Sequence, residues 1–246
     1  MNRISDRAVV QTHNLGENVV IHDFVVIRPG VIIGNNVVIH PHVVIESGVT
    51  LADDVEIFPG TYIGKVPKGA GAIDRVPEFE ARVEIGTGCC IGPNAVIFYD
   101  VRIGNNTLIG DGASIREKCI IGSHCVIGRH VIVSYETYIG DQTKIMGLTV
   151  ITGKTYIGNN VFIGPQVGTA NDNAIGRLDY DENKIKGPHI EDNVSVGLCA
   201  LILPNTRIGK FSILGAGTVV TRDVPERAVV MGVPAKVIRF LGSGEE

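Results

Sequence analysis

The 246-residue sequence contains no tryptophan, and only 5% of its residues are aromatic, although 44% are hydrophobic. Its core must therefore be built from many small aliphatic side chains. Positive charge is not in excess, because 22 lysines and arginines stand against 26 aspartates and glutamates, giving a net charge of −4. Nucleic-acid binding needs concentrated lysine and arginine, so we expect no nucleic-acid partner.

Long apolar runs are also missing. No segment approaches the roughly 18 unbroken apolar residues of a membrane span, and the opening MNRISDRAVVQTHN has no apolar signal segment. We therefore expect a cytoplasmic protein without membrane insertion. The five cysteines are an odd number, and only Cys89 and Cys90 are close together. This spacing fits neither a disulfide framework nor a zinc site, so reduced, buried thiols are expected.

The dominant feature of the sequence is a repeat of six residues. Aliphatic side chains return at every sixth position in three series, and a fixed short period indicates a solenoid. The series run from Val9 to Ile63, from Ile85 to Ile163 and from Ile190 to Val220. A second inward class follows four residues later and admits only small side chains, such as Val37, Cys89, Ala113 and Thr143.

A glycine often follows the aliphatic residue, as at Gly86, Gly104 and Gly122. Such a position suits a tight corner that needs either positive φ or close backbone approach. Each six residues thus form one short strand and one turn, and three of them make a coil of about 18 residues with coils about 4.8 Å apart. The sequence predicts an all-β fold, a parallel β-helix of about ten coils.

The repeat breaks at two places, and we predict inserted loops over residues 65–82 and 168–188. Loops held by a rigid scaffold often carry function. This interpretation is favoured for the second loop, whereas for the first loop tolerance of an insertion is an equal alternative. Residues 225–246 contain Pro225 and Pro234, which stop the stacking of strands, and we predict that they cap the open end of the helix. Residues 1–246 are interpreted as one domain.

The repeat resembles the left-handed parallel β-helix of the hexapeptide acyltransferases, and the left hand of the helix is implied by this resemblance alone. Members of the family are usually trimers with active sites between neighbouring prisms, so a homotrimer is expected. The segment VSVGLCALILPNTRIGKFSILGAGTVVTRDVPERAVVMGVPAKVIR is similar to the closing coils of acetyltransferases that bind acetyl coenzyme A. The resemblance implies a coenzyme site at Gly197, Ala200, Gly215, Ala216 and Lys236, in which the small residues leave room for the pantetheine arm. Lys236, with Arg222 or Arg239, is expected to meet the phosphates.

A second segment, IGPQVGTANDNAIGR, resembles enzymes that N-acetylate nucleotide-linked amino sugars in polysaccharide biosynthesis. Asn171 falls on the substrate asparagine of that family, and Asp172 follows it. Two departures from the family pattern are Gly153, where a glutamate is frequent one coil earlier, and the lack of a proline before Arg177. The resemblance implies transfer from acetyl coenzyme A to a sugar amine, a reaction that needs a base for the amine proton and donors for the oxyanion.

Several candidates for the base remain open. Asp172 lies in the second loop and His189 at its far end, and the departing thiolate of the coenzyme is a third possibility. Other enzymes of this fold use an intersubunit histidine, and His124 is the reserve candidate for that role because it lies on a central coil. The sequence lacks the histidine spacing of the zinc-dependent branch of the fold, so no metal is expected.

Two competing functions are kept. One is an acyltransferase that takes long chains from acyl carrier protein for lipid A, which the ending ARVEIG of the first loop faintly resembles. The other is a non-enzymatic assembly subunit, which would not bind coenzyme A. Acyl-donor preference distinguishes the first from acetyl transfer, and calorimetry with coenzyme A tests the second.

Overall fold

The described part of the chain winds into a three-sided prism of parallel strands. The structure is a computed structural model, and it describes residues 1–69, 75–179 and 181–242. In these residues the regular structure is entirely β, and three sheets form the three sides. The predicted all-β, left-handed parallel β-helix of hexapeptide repeats is confirmed. No helix in the described ranges is long and apolar enough to cross a bilayer.

The strands are mostly two residues long, and each pairs with the strand one coil away. The first sheet contains Arg3–Ile4, Val20–Ile21, Val38–Ile39, Glu56–Ile57, Cys90–Ile91, Leu108–Ile109, Val126–Ile127, Lys144–Ile145, Phe162–Ile163, Ser195–Val196, Ile213–Leu214, Ala228–Met231 and Lys236–Phe240. The second contains Val9–Val10, Val26–Ile27, Val44–Ile45, Tyr62–Lys65, Val96–Phe98, Ser114–Ile115, Ile132–Val133, Val150–Ile151, Gly168–Thr169, Leu201–Ile202 and Val219–Val220. The third contains Asn14–Leu15, Ile32–Ile33, Val49–Leu51, Val83–Ile85, Val101–Ile103, Cys119–Ile121, Tyr138–Ile139, Tyr156–Ile157, His189–Ile190 and Arg207–Ile208.

The aliphatic series fills the inside of the prism. Ile109 pairs with Ile127, one coil of 18 residues later, and both are fully buried. The small inward class is buried as well, and its threonines bond to the next coil: Thr143 Oγ1 donates to Gly158 O at 2.8 Å. The register prediction is wrong only in the first coil. Val10, rather than Val9, aligns with Ile27, and Val9 is exposed, because this coil is one residue shorter.

The three edges of the prism are named by the sheets that they join. The chain passes from the first sheet to the second at the first edge, from the second to the third at the second edge, and back to the first at the third edge. At the third edge, a Cβ on Gly122 would lie 2.8 Å from the carbonyl carbon of Gly140, so these corner glycines are required for close backbone approach. Positive φ occurs two residues later, for example at His124.

Both insertions leave the prism at the second edge. The first lies between strands Tyr62–Lys65 and Val83–Ile85, and the second between Gly168–Thr169 and His189–Ile190. The structure corrects the predicted starts slightly, because Lys65, Gly168 and Thr169 still pair with neighbouring strands. The part of the first insertion at residues 70–74 lies outside the described residues. Two loops separated by about a hundred residues of sequence therefore share one edge.

The last described residues form a hairpin over the end of the prism. Strand Ala228–Met231 continues the first sheet in parallel, and Lys236–Phe240 returns antiparallel to it. At the turn of the hairpin, Gly232 O accepts from Val219 N at 3.0 Å, and Ala235 N donates to Val219 O at 2.8 Å. The hairpin therefore satisfies backbone groups of the last strand in the second sheet.

Candidate functional site

The second edge carries a column of unlike side chains between the two insertions. Tyr99, Glu117, Tyr135 and Gly153 occupy equivalent corners at intervals of 18 residues. The corners of the third edge instead repeat glycine, at positions such as 104, 122 and 140. At the second edge the residue type thus changes from coil to coil, whereas the rest of the repeat is uniform. We therefore take the second edge as the candidate for a functional site.

A buried carboxylate holds the first insertion to this edge. The side chain of Glu117 is 0% exposed, and it accepts hydrogen bonds from Arg75 of the first insertion and from Arg116 Nε at 2.8 Å. Burial works to raise the pKa of Glu117, but the hydrogen bonds from Arg116 and Arg75 outweigh it and hold the pKa below its ordinary value. Glu117 is therefore ionised at neutral pH and fully paired.

Tyr135 connects this cluster to the second insertion. The Arg75 guanidinium lies 3.8 Å from the centre of the Tyr135 ring. The hydroxyl-bearing end of the same ring lies over Gly153, where an added Cβ would meet Cζ at 2.7 Å. Asn171 Nδ2 in turn donates to Gly153 O at 3.2 Å. Side chains from both insertions thus meet at Tyr135 and Gly153.

Asp172 organises the second insertion. Its carboxylate accepts from Ala174 N at 2.7 Å and from Gly176 N at 2.9 Å, so each oxygen is engaged by the loop backbone. The hydrogen bond from Gly176 N contributes most, and with that from Ala174 N it lowers the pKa of Asp172 below its ordinary value. A carboxylate with a lowered pKa is a weaker base. The geometry therefore favours a structural role for Asp172 over proton abstraction.

His189 lines a pocket at the C-terminal end of the second insertion. Its ring stacks on Tyr156, with centres 4.4 Å apart, and the pocket of about 430 Å³ also includes Lys154, Lys186 and Asn205. Lys186 N donates to Asn171 O at 2.9 Å, which brings the end of the insertion back to its beginning. His189 and Asn171 consequently lie at the two closely spaced ends of one loop.

The residues predicted to bind coenzyme A gather at the first edge, at the hairpin end of the prism. Gly197 and Ala216 lie on consecutive corners there, and Gly217 N donates to Leu198 O across the same corners at 2.9 Å. Lys236 is exposed and follows directly on Ala235, whose backbone contacts Val219. The structure therefore brings these predicted residues together on one edge.

The structural reason for the small residues differs from the expectation. A Cβ on Gly197 would lie 2.6 Å from Ala216 N, and a Cβ on Gly215 would lie 2.7 Å from Met231 Cγ. Their missing side chains are needed for packing and do not leave open room for a ligand. Ala200 is fully buried, so its side chain faces the core rather than a ligand. Open space lies instead above Gly217, where nothing is within 4 Å of an added Cβ.

His124 is not brought to the other predicted catalytic residues. It is exposed on the third edge, where its backbone N donates to Asn105 O at 2.8 Å and its φ is positive. Asn171 and His189 lie at the second edge, so His124 of the same chain does not share their site. Within the described ranges, no group of three or more His, Cys, Asp and Glu side chains could hold a metal ion.

Sequence reasoning missed Arg75, Glu117 and Tyr135. The six-residue period of the aliphatic series indicates only the side chains inside the prism. Steps of 18 along the corner of the second edge, from Tyr99 onward, would have shown the column that includes Glu117 and Tyr135. The contact between Arg75 and Glu117 joins residues 42 positions apart and leaves no periodic signal.

Together, the coiled architecture and the repeat define the class: the chain is a parallel β-helix built from six-residue repeats. Residues 12–47 match the family described as bacterial transferase hexapeptide (six repeats), and residues 78–175 match the GMPPB C-terminal domain. The resemblance to hexapeptide-repeat acyltransferases is thereby confirmed.

Individual relatives match between 50 and 60 residues of the chain. Galactoside O-acetyltransferase of Lactococcus lactis subsp. lactis (strain IL1403) is 42% identical over 60 residues, which are 24% of this chain and 29% of the relative. The 2,3,4,5-tetrahydropyridine-2,6-dicarboxylate N-acetyltransferase of Staphylococcus aureus (strain JH9) is 56% identical over 50 residues, 20% of this chain and 21% of the relative. The chain thus spans less than a third of the length of these curated relatives.

A solved structure reproduces the fold along almost the whole chain. LpxA, a UDP-N-acetylglucosamine acyltransferase from Bacteroides fragilis 9343, superposes with a TM-score of 0.51 at 20% identity, covering 96% of this chain and 74% of the other. At this level of identity the likeness concerns the architecture.

Proposed function

We propose that this protein is an acetyl coenzyme A dependent N-acyltransferase that acts on a nucleotide-linked amino sugar in polysaccharide biosynthesis. The observation that carries the proposal is that the residues predicted for the two sites lie in neighbouring coils. The predicted coenzyme residues gather at the first edge, and the Asn171 loop leaves the second edge. The six-residue repeat of buried aliphatic side chains continues through these coils, from Ile157 to Val220, and supports both sites.

Within the acceptor site, His189 is the proposed base. An amine that attacks a thioester carbonyl must lose a proton, and a base near its reaction partner accelerates this step. Asp172 is less suited, because both of its oxygens already accept backbone hydrogen bonds. The ring nitrogens of His189 have no hydrogen-bond partner within the described residues, and His189 lines a pocket together with Lys186, whose backbone N donates to Asn171 O. Asn171 is proposed to orient the sugar amine.

The donor site is proposed to lie at the first edge. Lys236 is exposed on the closing hairpin, where its ammonium group is available to a phosphate of the coenzyme. One side of the prism, about six residues at 3.3 Å each or roughly 20 Å, separates this edge from Asn171. We therefore propose a homotrimer, in which the donor edge of one copy faces the acceptor edge of another. The five free thiols favour a reducing, cytoplasmic location.

The test is a screen of UDP-, GDP- and dTDP-linked amino sugars with acetyl coenzyme A, read by mass spectrometry as a gain of one acetyl group. Asn171→Ala is expected to lower activity more than tenfold, whereas Asn173→Ala, at an exposed position of the same loop, serves as the matched control. Acetyl transfer at wild-type rate by Asn171→Ala would discard the acceptor site. Transfer only from acyl carrier protein would replace the donor assignment.

A donor test can be made without any acceptor. Cys199 is exposed on the first edge, between Gly197 and the buried Ala200. If coenzyme A binds at this edge, saturating coenzyme A slows alkylation of Cys199 by iodoacetamide. An unchanged alkylation rate in the presence of the coenzyme would contradict this placement.

A further inference from the structure

The hydroxyl of Tyr135 is a polar group at the second edge that has no hydrogen-bond partner among the described residues. Tyr135 is half-buried, and none of the described residues hydrogen-bonds its hydroxyl, although its ring lies close to Arg75 and Gly153. The Arg75 guanidinium lies 3.8 Å from the ring centre, and the backbone of Gly153 lies against the hydroxyl-bearing end. The ring is therefore held in one place while its hydroxyl stays available.

The support beneath the ring is unusually firm for a surface residue. Arg75 is fixed by its ion pair with Glu117, whose side chain is 0% exposed, and Glu117 is also bound by Arg116. A charge buried to this degree is tolerated only when it is fully paired. Arg75 comes from the first insertion, so the pair fastens that loop to the coil next to the one that carries Tyr135.

Gly153 joins the ring to the residue that the proposed reaction needs most. A Cβ at this position would lie 2.7 Å from Tyr135 Cζ, so the ring requires a glycine here. The carbonyl of the same residue accepts from Asn171 Nδ2, which leaves Asn171 Oδ1 free of protein donors within the described ranges. This corner of the second edge thus has a glycine covered by a tyrosine.

We propose that Tyr135 is an acceptor-binding residue, whose hydroxyl hydrogen-bonds a neutral polar group of the sugar beside Asn171. This inference rests on the proposed function, since it concerns the acceptor site of that reaction. A tyrosine hydroxyl both donates and accepts, which matches a sugar hydroxyl or amine. The guanidinium groups of Arg75 and Arg116 outnumber the one carboxylate of Glu117, so a protonated amine is disfavoured at this point and the hydroxyl is assigned a neutral hydroxyl or amine as its partner. Through Arg75, the first insertion becomes a wall of the acceptor site.

Kinetics with two variants test the contact. Tyr135→Phe removes only the hydroxyl and is expected to raise the acceptor KM about five- to tenfold, the loss of one neutral hydrogen bond. The KM for acetyl coenzyme A stays within about twofold. Tyr138→Phe is the matched control, because Tyr138 is an exposed tyrosine of the next strand that stacks on Tyr156. An unchanged acceptor KM in Tyr135→Phe, or an equal change in both KM values, overturns the proposal.

The contact with Gly153 supplies a second test. Gly153→Ala places a methyl group against Tyr135 and is expected to displace the ring, lowering kcat/KM for the acceptor more than tenfold. Adding Gly153→Ala to Tyr135→Ala should cause little further loss, because the clash no longer exists. Additive losses in the double variant would show that the two residues act independently and would contradict the inference. Circular dichroism and melting curves confirm that each variant is folded.

The proposed function can fail separately. If the wild type transfers no acetyl group to any sugar in the screen, the proposed reaction is wrong. Whether Tyr135 binds the acceptor is then tested by calorimetry with the same nucleotide-linked amino sugars and with UDP alone. Binding by the wild type that weakens at least fivefold in Tyr135→Phe, while UDP binding is unchanged, supports the site. Equal binding by both proteins, or no binding by either, overturns it.

Discussion

Replacing Glu117 by glutamine removes the charge that holds Arg75 and Arg116 at the second edge, while keeping the shape of the side chain. Breaking a buried ion pair from one side usually costs about 3–5 kcal/mol, because the other charge is left uncompensated. Here the two arginines retain 11% and 30% exposure and can turn toward water. We therefore expect Glu117→Gln to lower the free energy of unfolding by about 2–3 kcal/mol at pH 7.

The pH dependence identifies the charge as the cause. The pKa of Glu117 is lower in the folded protein than its ordinary value of 4.5, so its stabilising effect is complete above that pH and is lost as the pH falls through the folded pKa. The difference between wild type and variant, measured by urea unfolding, should be constant from about pH 8 to pH 5 and shrink below about pH 4.5.

A matched control is available on the surface of the prism. Glu84 forms an ion pair with Arg102 at 3.5 Å in which both side chains are about half exposed. Glu84→Gln should cost less than about 1 kcal/mol. The reasoning is refuted if Glu117→Gln costs no more than this control at neutral pH, or if its cost does not change down to pH 3.

Three further outcomes are expected. Gly140→Ala should lower the free energy of unfolding by about 1–3 kcal/mol in urea, because its Cβ would lie 2.7 Å from the carbonyl carbon of the next coil; a neutral effect would contradict the close stacking of coils. Alkylation mapped by mass spectrometry should label the exposed Cys199 in the folded protein and leave Cys119 unlabelled, because burial raises the pKa of Cys119 to about 12. Labelling of Cys119 as early as Cys199 would refute its burial. The hydrogen bond to Glu46 raises the pKa of Tyr62 to about 12, so Tyr62→Phe should remove a tyrosinate step near pH 12 in an absorbance titration. The stabilisation from this hydrogen bond is complete below about pH 10 and is lost as the pH rises toward 12.

Much of the architecture follows from arithmetic on the sequence. A side chain that returns every six residues, with three returns per coil, places every aliphatic residue of the series inside the prism. The same count assigns both insertions to one edge. Ile85 follows the first insertion in the third sheet, and fourteen steps of six residues, which are four full coils and two further steps, lead to Thr169 in the second sheet. The second insertion therefore begins between the second and third sheets, where the first insertion ended. The first coil escaped the count, since its length differs by one residue and Val10 takes the place of Val9.

Only the tertiary structure decided what the small residues at the edges are for. Gly197, Gly215 and Gly153 look alike in sequence, but their missing side chains make room for a coil backbone, for Met231 and for the Tyr135 ring, respectively. Periodicity reports which way a side chain points, because that depends on its own position in the coil. Which neighbour occupies the space depends on residues one or more coils away, and the meeting of Arg75 with Glu117 and Tyr135 exists only in the assembled prism.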